Sequence, residues 1–326
     1  MAQWNNILPS MFAHDFPFDP TYGYSQAQLQ QIRPPSDIPH DFDEFWRATF
    51  AESSAVPLQL KTEPAASPGA GWTMNIVRYN TLGGMRVGAW VLAPTDASCI
   101  RRGFVVGHGY GGRAAPQWPL PLDDAAYIFP CAPGFDLSAA PNLPNNAAQH
   151  VVFGIASRDT YLLRACVASL WAAATVLIEL YPAVATSLSY SGESFGGGLG
   201  ALMLPWDERF RRAHLVVPTF GHHPLRLQCP CVGSGEAVRE LHAQQPGIIH
   251  MLRYYDAAVA AQHITTPTLC VPALFDPAVP PPGQFAVANA LSGEHEIFIL
   301  SGGHFDYIGQ EEERQQAQQR FQKWFR

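Results

Sequence analysis

Apolar and polar positions change period several times along this chain, and the changes lay out its elements. Phe42, Phe45 and Trp46 fall at i, i+3 and i+4 behind Pro39-His40-Asp41, which predicts a capped helix with one aromatic face. Residues 73–80 and 85–93 read as two strands, with Gly83-Gly84 between them as a hairpin signal. The run Gly103-Phe104-Val105-Val106 reads as a strand feeding the glycine-rich stretch His108-Gly109-Tyr110-Gly111-Gly112. Residues 116–156 carry many prolines and small side chains, with a brief strand candidate at 126–129. Over 159–181, Leu162, Ala165, Cys166, Leu170, Ala173 and Leu177 recur near helical period, and Pro182 ends the helix. Strand candidates follow at 188–190, 214–217, 268–275 and 296–300. Helical patterns follow at 195–204 and 311–325.

Strands alternating with helices after an opening hairpin predict an α/β fold, with a mostly parallel sheet covered on both faces. No repeat, low-complexity tract or linker separates two halves. Residues 1–326 therefore read as one domain, with 1–60 as an N-terminal arm packing on it or on a neighbouring subunit.

Composition removes several functions. The net charge is −7 with no run of lysine or arginine, which argues against a nucleic-acid partner. The twelve histidines are scattered, and neither a His-Glu-x-x-His nor a paired Cys-x-x-Cys is present. No metal and no cofactor are expected. The N-terminus lacks a basic start followed by an apolar run, and no 18-residue apolar stretch is expected to span a membrane. A cytoplasmic location with reduced thiols is expected for the six cysteines. Cys229-Pro230-Cys231 is too tight for a zinc knuckle and reads as a loop with two free thiols. Charged residues make up only 14 %, which suits a surface partly covered by other subunits.

The chemistry centres on Gly192-Glu193-Ser194-Phe195-Gly196. Alone, the pentapeptide is a common accident. Between a strand and a helix it becomes a sharp turn that lifts the serine hydroxyl above the sheet edge. An acid and a base then follow in the order this architecture uses. Asp276 ends the run from Thr268, and His304 follows the last strand. His304 would take the proton of Ser194 and pass it to the leaving group, while Asp276 fixes the imidazole tautomer. Asp306 is a rival acid, but it lies in the same loop as the base. The backbone N–H groups of Phe195 and Tyr110 are the candidate oxyanion hole.

These residues resemble the acetyl xylan esterase and cephalosporin C deacetylase family of α/β hydrolases. The likeness runs through Pro39–Trp46, Gly88-Ala89-Trp90, His108–Arg113, Tyr161, Arg164, Gly192–Gly198, Asp276 and His304. It implies the α/β-hydrolase fold and a serine esterase acting on small acetylated substrates such as sugars. It also implies an intracellular homo-oligomer, often a hexamer. The chain departs from the family in three places. Residues 129–136 replace its usual Arg-Gly-Gln stretch, Phe305 follows the histidine where glutamate is usual, and Glu193 and Phe195 flank the serine where glycine and glutamine are common. Glu193 and Phe305 are thus the candidate pocket residues, with part of the pocket expected from 116–156. A short-peptide serine peptidase and a non-catalytic protein of the same fold are the alternatives.

Overall fold

The computed structural model describes residues 12–326. Eleven strands form among the described residues: β1 Lys61–Ala65, β2 Trp72–Thr81, β3 Met85–Pro94, β4 Arg102–Gly107, β5 Ala125–Pro130 and β6 Leu188–Glu193. The rest are β7 Phe210–Val216, β8 Thr268–Val271, β9 Ala273–Phe275, β10 His295–Ile297 and β11 Leu300–Gly302. Nine make one sheet in the order β1-β2-β3-β5-β4-β6-β7-β8-β10, and β9 and β11 pair separately. Every pairing from β5 through β10 is parallel, while β1, β2 and β3 join antiparallel.

Two predicted strands each divide. Pro272 has no N–H for a ladder and separates β8 from β9. The predicted final strand likewise becomes β10 and β11, and β11 pairs with β9. The short pair carries the chain past the main sheet, so Asp276 follows β9 directly and His304 follows β11 by two residues. β1 gave no hydrophobic signal because it is an exposed edge strand, where its Pro64 is tolerated.

Strand alternation divides the core between the sheet faces. Val105, Ile128, Tyr190 and Leu215 point to one face, which carries the larger cluster. Phe104, Val106, Tyr127 and Phe129 point to the other, where Phe321 and Phe325 of the C-terminal helix Gln310–Phe325 cover them. The larger face is covered by the long helix Leu162–Leu180, which starts three residues later than its pattern suggested. At 19 residues and a mean hydropathy of 1.6 it is long and apolar enough to cross a membrane, contrary to the sequence reading. Here most of it is buried among β-strands and neighbouring helices.

The aromatic helix forms at Phe42–Ser54 and buries Phe42, Phe45 and Trp46 as its spacing predicts. The Trp46 indole N–H donates to the Tyr254 carbonyl at 2.8 Å. Asp41 does not cap it through its side chain. That carboxylate instead accepts from Arg158 at 2.6 Å and from the Tyr254 hydroxyl. The described part of the arm returns to the same chain: Phe12 lies edge-on to Phe275, and Asp276 N–H donates to the Pro20 carbonyl.

The connection from β4 to β5 positions the site. A parallel crossover is usually helical, but residues 108–124 contain no helix. One end of this segment becomes the loop over Ser194, and the other leaves open space against the sheet.

Candidate active site

Ser194 stands between β6 and the helix Phe195–Met203 with φ of 56°, a conformation that non-glycine residues seldom adopt. The turn is held from both sides: Ser194 N–H donates to the Val216 carbonyl, and Ser194 O accepts from Gly198 and Thr219. His304 and Val217, which lie near Ser194, also have positive φ.

The flanking glycines follow from packing. A Cβ on Gly196 would lie 2.8 Å from the Gly107 carbonyl carbon, so β4 and the elbow helix meet backbone to backbone. Gly196→Ala is expected to destabilise the protein by about 1–3 kcal/mol, as overpacking does, and to displace the loop after β4. Denaturant midpoints together with esterase assays would check both effects.

Ser194 Oγ lies 3.0 Å from His304 Nε2, and His304 Nδ1 lies 2.8 Å from Asp276 Oδ2. Asp276 is fully buried. Its Oδ1 accepts from Ala278 and Val279 N–H, both at 2.9 Å. Its Oδ2 also accepts from Gln284 Nε2 at 2.9 Å. Gln284 itself is fully buried and fixed by the Val279 carbonyl and the Ala273 N–H. It was not singled out from sequence, although it is the one polar residue in the helix PPGQFAVA. The structure thus joins Ser194, His304 and Asp276 in one hydrogen-bonded chain, which does not pass through Asp306.

Burial alone would push the His304 pKa down. The hydrogen bond and charge of Asp276, with the charge of Glu193, outweigh it and raise the value. As a general base His304 would work only when neutral, so activity is expected to fall toward acid with a midpoint above that of an ordinary histidine. Glu193→Gln removes one source of the rise, and the acid limb of kcat/KM is expected to move to lower pH. A limb that stays in place would show that the exposed Glu193 carboxylate has no influence on the base.

The Phe195 N–H begins its helix and has no intrahelical partner. The Tyr110 N–H makes no hydrogen bond among the described residues. The loop that carries it is tied down by His108. Burial pushes this imidazole down to about 4, leaving it neutral. Its Nε2 accepts from Ala132 N–H at 2.8 Å, so its Nδ1 proton donates to the Gly109 carbonyl at 2.6 Å.

The two sides of Ser194 differ. On one, the Phe195 ring is fully buried and stacks on Tyr110 with centroids 4.0 Å apart. Phe135, His150 and Phe220 close in behind. On the other, Gly109, Glu193 and His304 border a cavity of about 790 Å³. Residues 117–121 line part of it, as expected of the 116–156 region. Phe305 is elsewhere: it packs on Phe275 and Phe16, an aromatic cluster made by the arm, and does not line the cavity. Cys229 and Cys231 are free thiols, as read from their spacing, and no cluster of metal-binding side chains exists among the described residues.

The profile of the acetyl xylan esterase (AXE1) family matches residues 22–323. The chain is similar in structure to an acetyl xylan esterase from Paenibacillus sp. R4, with a TM-score of 0.79 and 22 % identity over 92 % of this chain and 99 % of that one. Acetyl xylan esterase 1 from Thermoanaerobacterium sp. JW/SL YS485 gives a TM-score of 0.77 and 18 % identity, over 90 % and 98 %. A Pyrococcus horikoshii acylaminoacyl peptidase gives 0.60 and 14 % identity, over 81 % of this chain but 41 % of that one. These likenesses agree on the α/β-hydrolase fold.

Proposed function

Because the chain belongs to the acetyl xylan esterase family, we propose that it removes acetyl groups from a hydroxyl-bearing substrate, with Ser194 as nucleophile, His304 as base and Asp276 as the acid that orients it. The enzyme is a serine carboxylic-ester hydrolase. The observation that carries the residue assignment is the continuous hydrogen-bond chain from Ser194 Oγ to Asp276 Oδ2.

Ser194 Oγ attacks the ester carbonyl carbon while its proton passes to His304 Nε2. The carbonyl oxygen becomes an oxyanion facing the N–H groups of Tyr110 and Phe195. Collapse breaks the bond to the alcohol, which leaves with the proton from His304. Water then attacks the acyl-enzyme, again deprotonated by His304, and releases acetate and free Ser194. Asp276 stays ionised and stabilises the imidazolium in both halves. The packed Phe195–Tyr110 pair supports a short acyl group. The same chemistry would cleave a small peptide, but Glu193 is the one acidic side chain beside the nucleophile to anchor a free amino terminus. A cytoplasmic homo-oligomer is the accompanying proposal, supported by the low charge content.

The test combines a fluorophosphonate probe with p-nitrophenyl esters of increasing acyl length. Labelling at Ser194 and rates that fall beyond short acyl chains are expected. An intact protein that neither labels nor hydrolyses acetate esters would favour a non-catalytic role.

A further inference from the structure

The loop that presents His304 is fastened from outside itself. It leaves β11 at Gly302 and reaches the C-terminal helix at Gly309. His304 stands within it at φ of 48° and outside the buried core. A residue in that backbone region persists only where its surroundings over-determine it. The bonds to Ser194 and Asp276 hold the imidazole. They do not hold the chain on either side of it.

Glu313 does. Three glutamates open the C-terminal helix, as suits a helix N-terminus. Glu311 and Glu312 are exposed, while Glu313 turns back over the loop. Its Oε2 accepts from Ser301 N–H at 2.9 Å and from the Tyr307 hydroxyl, and its Oε1 accepts from the Ser301 hydroxyl at 2.8 Å. Ser301 and Tyr307 lie three residues before and three after His304, so one carboxylate ties both ends of the turn. Gln310 Nε2 adds a bond to the Phe305 carbonyl at 2.8 Å, and Gly303 N–H donates to the Phe275 carbonyl at 2.8 Å. The Tyr307 ring lies against Gly302, where a Cβ would come within 2.9 Å of it, and stacks on Phe12 of the arm with centroids 4.7 Å apart. The helix dipole asks only for negative charge near the first turn and does not explain three bonds to one loop.

We propose that Glu313 is a positioning residue for the reaction: by tying Ser301 to Tyr307 it holds the turn in which His304 offers Nε2 to Ser194 and Nδ1 to Asp276. This role rests on the esterase reading, because Glu313 acts only through the base. It acts by geometry rather than by charge. Burial lowers the His304 pKa and Asp276 and Glu193 raise it; Glu313 has no part in the shift.

Glu313→Ala and Glu313→Gln test it. Alanine loses all three bonds. A glutamine with its oxygen in the Oε2 place still accepts from Ser301 N–H and Tyr307, and its NH₂ donates to the Ser301 hydroxyl, which can turn to accept. Glu313→Ala is expected to lower kcat/KM for p-nitrophenyl acetate, per folded molecule, by about thirtyfold, since a small misplacement of a catalytic group costs that much rate. Glu313→Gln should recover most of the loss, with the acid limb of the pH profile where the wild type has it. Tyr307→Phe removes one bond and keeps the ring on Gly302 and Phe12; a fall of about fivefold is expected, the worth of one hydrogen bond, and this variant decides if the alanine protein does not fold. A contact that only stabilises the fold would lower the melting temperature and leave these rates alone, which overturns the proposal. So does a loss in Glu313→Gln as large as in Glu313→Ala. The downfield proton NMR signal of His304 Nδ1, bonded to Asp276, reads the same placement without catalysis. It should persist in Glu313→Gln and broaden or vanish in Glu313→Ala, and an unchanged signal in Glu313→Ala overturns the role. A wild type that hydrolyses no acetate ester would count against the esterase reading alone, and the NMR signal would still decide whether Glu313 places His304.

Discussion

Ser194→Ala is expected to lower kcat for acetate esters by about 10⁴-fold or more while leaving the fold in place, since loss of a serine nucleophile leaves only oxyanion binding and substrate positioning. The structure separates these effects. The Ser194 hydroxyl has one side-chain partner, His304 Nε2, and no place in the hydrophobic core. The elbow itself is held by the Ser194 backbone through Val216, Gly198 and Thr219, and alanine keeps all three bonds. Thermal unfolding should therefore change little. Residual hydrolysis within tenfold of wild type, measured on protein free of contaminating esterase, would defeat the assignment.

Asp276→Asn carries the second large effect, and its cause lies in how the carboxylate is satisfied. All four of its neighbours donate: Ala278 and Val279 N–H to Oδ1, and Gln284 Nε2 and His304 Nδ1 to Oδ2. Asparagine has only one accepting oxygen. If its NH₂ takes the Oδ1 position, two backbone N–H groups lose their acceptor inside the protein. If it takes the Oδ2 position, Gln284 meets another donor and His304 must accept at Nδ1. The imidazole proton then sits on Nε2, facing Ser194, and the base is lost. Either placement is expected to reduce kcat by about 10⁴-fold through the wrong tautomer or displaced geometry. It should also cost about 1–3 kcal/mol in stability for an unsatisfied buried group. Gln284→Glu as a companion, assayed across pH, would show whether the second donor to Oδ2 also sets the acid limb. A rate loss below tenfold in Asp276→Asn would return Asp306 to consideration.

The parts of the site legible in the sequence were those with a local signature. The elbow declares itself by glycines around a serine, and Asp276 and His304 by their place after strands. The strand breaks at Pro272 and before Leu300 were legible less well, because a five- to eight-residue apolar run reads the same whether it belongs to one ladder or two. Gln284 was missed because its partners lie on other elements and no spacing rule connects them. Phe305 reads as a pocket residue because it follows His304 where the resembled family has glutamate; a chain turning at φ of 48° at His304 sends that side chain elsewhere. β1 was invisible because an exposed edge strand needs no apolar face. The polar face of β6, Ser189-x-Ser191-x-Glu193, stood in the sequence as a period-two pattern. Its meaning required knowing that the crossover at 108–124 contains no helix.

That crossover divides the molecule by tolerance to change. The long helix Leu162–Leu180 is packed so closely against the sheet that most substitutions in it alter a volume the core must accommodate. Residues 117–121 and, on the C-terminal helix, Arg314, Ala317 and Gln318 border open space, so side chains there can be exchanged without repacking a core. Gln310 and Glu313 of the same helix are not free in this way, since they hydrogen-bond Phe305, Ser301 and Tyr307 around His304, so variation can accumulate at the open positions while Ser194, His304 and Asp276 stay in register. A lineage could reshape what meets that open space by altering a loop and part of a helix, while the chemistry stayed the same.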